Sequence, residues 1–212
     1  MPYHVGLDLG QSQDFTALSV VYQVPGKQVD RSLRELHLRH LERYPLRTPY
    51  PDIVQAVSRL LTDSRLSVTE PDPAKARIIT SRPVLVVDNT GVGAPVTDMF
   101  SKGGLKFTSV TITGGDKAHR NGRVWRVPKR DLVAALEVPF HTQRLKVAEG
   151  LTLWPVLKEE LLSFRRKIDL RTAHDSYEHW RESDHDDLVL ATALACWSMS
   201  HRFGRTRLGI VR

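Results

Sequence analysis

The chain has 212 residues, 41% of them hydrophobic, which is enough for one sizeable core and too much for a disordered polymer. No apolar run approaches the ~18 residues that suggest a membrane span, and the start Met1-Pro2-Tyr3-His4 leads straight into an apolar strand without the pattern of a signal peptide, so no membrane partner is expected. The single Cys196 excludes an internal disulfide and a thiolate zinc cluster, while a net charge of +7 favours a polyanionic partner.

Val5 to Leu9 reads as a short apolar strand and Phe15 to Val24 as a second, with Gly10-Gln11-Ser12-Gln13-Asp14 as the turn between them. Leu36, Leu38 and Leu41 alternate with charged residues and suggest a third, half-exposed strand, completing an antiparallel meander. Helical spacing of Ile53, Val54, Val57, Leu60 and Leu61 predicts a helix to about Arg65, and Thr69-Glu70-Pro71-Asp72-Pro73 reads as a loop. Val84 to Val87 is a continuous apolar run ending in Asp88, as in a buried central strand, and Thr90-Gly91-Val92-Gly93 opens a helix reaching Phe100.

Phe107 to Ile112 is the next strand. Lys117 to Val127 reads as a basic hairpin or ordered loop, with Asn121-Gly122 as its turn. Pro128 to Leu136 is a short helix with Pro near its start, and Leu145 to Val147 an edge strand. Trp154 to Ile168 is an amphipathic helix with Leu157, Leu161, Leu162 and Phe164 inward. Asp186 to Met199 is apolar almost all round and therefore a buried helix, with Cys196 as a small core residue. The order β-β-β-α-β-α-β followed by helices predicts an α/β fold, a central mixed β-sheet with helices on both faces. That is the plan of the ribonuclease H-like fold, expected here as a single domain over residues 1–212.

Three acidic clusters carry the chemistry: Gly6-Leu7-Asp8-Leu9-Gly10, Val86-Val87-Asp88-Asn89-Thr90-Gly91-Val92-Gly93 and His185-Asp186-Asp187-Leu188. A carboxylate at the end of an apolar strand is costly to bury unless it is paired or holds a cation. Asp8 and Asp88 stand at such ends, and Asp186 and Asp187 open an apolar helix. Converging, they would make the all-oxygen ligand set that Mg²⁺ or Mn²⁺ requires. Asp14 reaches the same cavity from the turn or stabilises that turn. His185 fits a hydrogen-bonding role behind the ligands better than a ligand role. Taken singly, each cluster has a plainer reading: Asp8 as a solvent-facing strand end, Asp88 as a helix cap, and Asp186 and Asp187 as partners of a helix dipole. Lys117, Arg120, Arg123, Arg126, Lys129 and Arg130 form a basic segment around Trp125, suited to a nucleic-acid backbone. Arg165, Arg166 and Lys167 are a second basic cluster, and Arg202, Arg205, Arg207 and Arg212 a basic tail.

The run from Gly6 through Asp14 to Ala17, the Val-Val-Asp-Asn-Thr-Gly-Val-Gly segment, the His-Asp-Asp-Leu-Val helix start and the segment Trp154 to Lys167 together resemble the nuclease domain of phage large terminase subunits. The likeness spans essentially the whole chain. It implies a two-metal endonuclease that cuts concatemeric double-stranded viral DNA during genome packaging; little sequence preference is expected, because a basic segment that contacts phosphates positions DNA without reading its bases. By position, Asp8, Asp88 and Asp186 match the family's metal-binding carboxylates, Asp187 is an additional or alternative ligand, and Asp14 matches a frequently acidic position. Two Mg²⁺ or Mn²⁺ ions are implied, as are the packaging ATPase, the small terminase subunit and the portal as partners. A phage or prophage product acting in the cytoplasm of a host bacterium is implied too. A Gly-x-x-x-x-Gly-Lys-Ser/Thr loop is absent from the chain, so no ATPase domain and no motor activity are expected. Two rival readings stand beside this one: an actin-like phosphate- or nucleotide-binding domain, from Gly-x-Asp-x-Gly and Asp-x-Thr-Gly-x-Gly, and a non-catalytic DNA-binding module on the same fold.

Overall fold

Alternation along Tyr3–Asp8 (β1) sends Val5 and Leu7 to one face of the sheet and Gly6 and Asp8 to the other. The structure, a computed structural model, describes residues 2–10, 13–25, 34–72, 77–171 and 186–201. Thr16–Gln23 (β2) pairs antiparallel with β1, and Leu36–Tyr44 (β3) antiparallel with β2, with a bulge between Val20 and Val21. This is the expected meander. Beyond β1 lie two parallel strands, first Val84–Asp88 (β6) and then Phe107–Thr113 (β7). The β8–β9 hairpin, His119–Asn121 and Val124–Pro128, closes that side, and Leu145–Val147 (β10) adds to the outer edge of β3. Among the described residues, the sheet has eight strands in the order β10-β3-β2-β1-β6-β7-β9-β8.

Two helices cover one face: Tyr50–Thr62 (α1) and Gly93–Lys102 (α2). There Ile53, Val57, Val96 and Phe100 pack with Leu7, Leu18, Leu85 and Val87. The other face carries Lys129–His141 (α3), Trp154–Arg171 (α4) and Asp187–Ser200 (α5). Their Leu132, Leu136, Leu157, Leu188 and Leu194 pack with Ala17, Val21, Val86, Val110 and Val127. α5 is buried nearly all round, as its sequence requires, because it is sandwiched between the sheet and the other two helices.

Four expectations are corrected. Residues 69–72 are not loop: Val68–Asp72 (β4) pairs antiparallel with Arg77–Ser81 (β5) in a separate ribbon. A two-stranded ribbon has only edge strands, where the missing N–H of Pro71 is tolerated. α1 stops at Thr62, and Ser64–Leu66 is a 3-10 turn capped by the Asp63 carboxylate on the Arg65 N–H. α3 continues past Leu136 to His141; Pro139 removes a bond only near the end, where the Thr142 N–H donates to the Val138 carbonyl at 3.0 Å. On α4, Leu162 is 51% exposed, and Glu160 takes a buried position instead. The side chain of Phe164 lies outside the described residues. Among the described residues, no helix is long and apolar enough to cross a membrane.

Candidate active site

Asp8 ends β1 and Asp88 ends β6, and the two are Cα partners in the parallel register of those strands. Partners across a ladder leave the same face of a sheet. That face belongs to α5. His4 Nδ1 lies 2.5 Å from the Ser198 hydroxyl, and a Cβ built on Gly6 would stand 1.9 Å from the Ala191 carbonyl oxygen. Following β1 from His4 to Asp8 therefore follows α5 backwards, from Ser198 through Ala191 to its first turn. Asp186 and Asp187 are brought in this way to the end of the sheet that carries Asp8 and Asp88.

The plainer reading of Asp88 as a helix cap does not hold. Val92 is the N-cap of α2, and Asp88 instead folds the loop after its own strand. Its Oδ1 accepts the Thr90 N–H at 2.8 Å and the Thr90 hydroxyl, whose oxygen in turn accepts the Ile112 N–H at 2.7 Å. Gly91, at φ 84°, takes a left-handed conformation open to glycine at no steric cost. Asp88 is thus buried and held in one orientation before any ligand arrives.

Asp186 and Asp187, adjacent in sequence, meet different cations. Asp187 is buried, its Oδ2 2.7 Å from Arg43 Nε, a charge contact rather than an aligned hydrogen bond. The same guanidinium donates to Glu160, whose other oxygen accepts the Val189 N–H of α5 at 3.1 Å. Burial first, and then the Asp187 charge, push the Glu160 carboxyl up to about 7, with Arg43 pulling against them. Asp186 is half-exposed and lies 3.4 Å from Lys129 Nζ at the start of α3.

Neither Arg43 nor Glu160 is among the site residues expected from the sequence, although Glu160 falls in the segment Trp154 to Lys167 that carries the resemblance. For Glu160 a signal existed: it stands three residues after Leu157 and one before Leu161, on the inward stripe of an amphipathic helix. For Arg43 there was none, since a charged residue on a half-exposed strand is ordinary.

The donor set is all carboxylate oxygen, the chemistry of a hard divalent cation. Among the described residues, no three His, Cys, Asp or Glu side chains are close enough together to hold a metal ion as they stand. Arg43 and Lys129 each contact one oxygen of a carboxylate, on Asp187 and Asp186 respectively, and partly offset the charge gathered there. Asp14 is exposed and lines a cavity with Gly10, Thr16, Arg47, Thr48 and Tyr50. His185 lies outside the described residues, as do the side chains of Arg165, Arg166 and Lys167 and the tail from Arg202.

The basic segment forms the predicted hairpin, with Gly122 at φ 61° in the turn. Strand alternation divides it. Arg120 pairs with Trp125, which pairs with Val110 and so joins the row of Asp88, on the α5 face. Arg126 pairs with His119 and faces the other way. Lys117 and Arg123 are exposed, and Arg130 is anchored to Asp116, with Nη1 3.2 Å from its carboxylate. Lys129 belongs to the carboxylate cluster rather than to the open surface. Trp125 packs edge-on against Trp197, ring centroids 5.7 Å apart.

No protein-family model and no curated protein matches the chain. Among solved structures, it is similar to the large terminase nuclease from thermophilic phage G20c, at 18% identity over 92% of this chain and 80% of that one, with a TM-score of 0.52. Two further likenesses are to the human cytomegalovirus terminase nuclease domain, soaked with Mn and inhibitor-bound, and the fowlpox virus Holliday junction resolvase. The first is 11% identical over 92% of this chain and 82% of that one, with a TM-score of 0.43. The second is 12% identical over 93% and 98%, with a TM-score of 0.37. The fold is ribonuclease H-like, of the terminase-nuclease type.

Proposed function

We propose that this chain is a metal-dependent endonuclease that hydrolyses phosphodiester bonds of double-stranded viral DNA during genome packaging. The observation that carries the reading is the register of Asp8 with Asp88 under the first turn of α5, which bears Asp186 and Asp187. The carboxylates of Asp8, Asp88 and Asp186, joined by Asp187, would hold two Mg²⁺ or Mn²⁺ ions. Bound there, the ions would supply Lewis-acid activation of water and of the scissile phosphate. Asp88 is pre-oriented by Thr90, so little side-chain order is lost when it takes up its role. The N-terminus of α5 points its positive end at the same place, which favours an approaching phosphate.

Arg120, Arg123 and Lys117 offer charge to the DNA backbone beside the site. Phosphate contacts position DNA without reading its sequence, so low specificity is part of the proposal. The packaging ATPase, the small terminase subunit and the portal as partners, and the cytoplasm of a phage-infected host as the setting, follow from the sequence resemblance.

A second reading, a DNA-binding module whose carboxylates serve structure, draws on the pairing of Asp187 with Arg43 and of Asp186 with Lys129. Plasmid cleavage in Mn²⁺, Mg²⁺ and EDTA separates the two. The nuclease cuts in Mn²⁺, is silent in EDTA, and loses at least about a hundredfold in rate in Asp88→Asn, the scale on which a lost charge stabilisation acts. Tight DNA binding indifferent to metal, with no cutting under any condition, favours the module.

A further inference from the structure

The turn of α5 that carries Asp186 and Asp187 is not capped by its own N-cap side chain: Asp186 makes no cap hydrogen bond. It is held from outside. Glu160 of α4 accepts the Val189 N–H, the amide three residues beyond the N-cap, while Arg43 of β3 bridges Glu160 and Asp187. Arg43 is itself fixed. It stands in the cross-sheet row of Ala17, Asp8 and Asp88, and its guanidinium carbon lies 4.8 Å from the centre of the Phe15 ring. One side chain thus ties the sheet bearing one pair of carboxylates to the helix bearing the other.

We infer that Arg43 and Glu160 are positioning residues, a clamp that fixes the first turn of α5 against β1 and β6 so that the two carboxylate pairs present one cation site. The inference rests on the nuclease reading. A guanidinium suits the task because its planar fork engages two carboxylates at once, which a lysine ammonium does less well. Partners behind metal ligands typically change metal affinity by about 10- to 100-fold when removed.

The test is Mn²⁺ binding by electron paramagnetic resonance, without DNA, alongside Mn²⁺-dependent plasmid cutting, for wild type, Arg43→Ala, Arg43→Lys and Glu160→Gln. Arg43→Ala is expected to weaken Mn²⁺ binding about tenfold and to shift half-maximal cutting to correspondingly higher Mn²⁺. Arg43→Lys is expected to recover part of both losses, and DNA affinity in EDTA to stay within about twofold of wild type, since Arg43 is largely buried. Glu160→Gln keeps an acceptor for the Val189 amide, so it keeps the measurement open if Arg43→Ala does not fold, and it too is expected to weaken Mn²⁺ binding. Folded variants that bind Mn²⁺ as wild type does, whatever their thermal stability, overturn the clamp and leave the nuclease reading intact. A wild type that neither binds Mn²⁺ nor cuts removes the nuclease reading, and this inference with it.

Discussion

His4 sits beneath α5 against Ser198, and burial lowers its pKa from 6.5 to about 4. The sign follows from which state holds the proton. Below pH 6.5 the unfolded chain takes up a proton that the folded chain refuses until about pH 4, so stability is lost as pH falls through that window. Glu160 has the opposite sign: raised from 4.5 to about 7, it keeps its proton longer when folded, and its contribution falls as pH rises through that range. His4→Gln isolates the first effect. Urea midpoints between pH 7 and pH 4 are expected to fall more steeply for wild type than for this variant; parallel curves would refute a half-buried neutral His4. Cys196 belongs to the same account, since burial pushes its thiol up to about 12 and keeps it a core side chain rather than a nucleophile.

Between elements, the contact that matters most to the site is that of β1 with α5. It is possible only because residue 6 has no Cβ: any side chain there would run into the Ala191 carbonyl at 1.9 Å and the Ala195 amide at 2.8 Å. Both are backbone atoms, so neither can swing away. Gly6→Ala is therefore expected to cost about 1–3 kcal/mol or more by pushing the helix off the strand, measured by urea unfolding. Because Asp8 rides on β1 and Asp186 precedes α5, the proposed nuclease activity should be slower in the same variant even where it is fully folded. Wild-type cutting with the loss of stability would mean that the helix end tolerates the shift. α5 itself was plain in the sequence, since the run Leu188 to Trp197 is apolar but for Thr192 and leaves a helix nowhere to lie but inside. The β4–β5 ribbon was not, because Pro71 among acidic residues locally resembles a loop and only pairing with Arg77–Ser81 makes it a strand.

Over the whole molecule, charge is distributed by the sheet. The basic segment is continuous in sequence, but the hairpin places Arg120 in the row of Asp88 and turns Arg126 to the opposite face. If DNA binds at the carboxylates, as proposed, it should feel Arg120 more than Arg126. In filter binding across a salt series without metal, Arg120→Gln is expected to lower the slope of log affinity against log salt by about 1, the contribution of one phosphate contact. Arg126→Gln is expected to leave it nearly unchanged. Equal effects would mean that DNA wraps the hairpin on both sides.

Periodicity and local chemistry are carried by neighbouring residues. The sequence by itself therefore determined the meander, the buried strand ending in Asp88, the buried last helix and the positions of Asp8, Asp88, Asp186 and Asp187 at the ends of their elements. What it could not contain is who faces whom across long separations. The register that sets Asp8 beside Asp88, the capture of Asp187 by Arg43 and of Asp186 by Lys129, and the Glu160 carboxylate on the Val189 amide were decided only by tertiary structure. The reason is physical: a buried charge must find a partner, and which partner it finds depends on how sheet and helices pack, not on its neighbours along the chain.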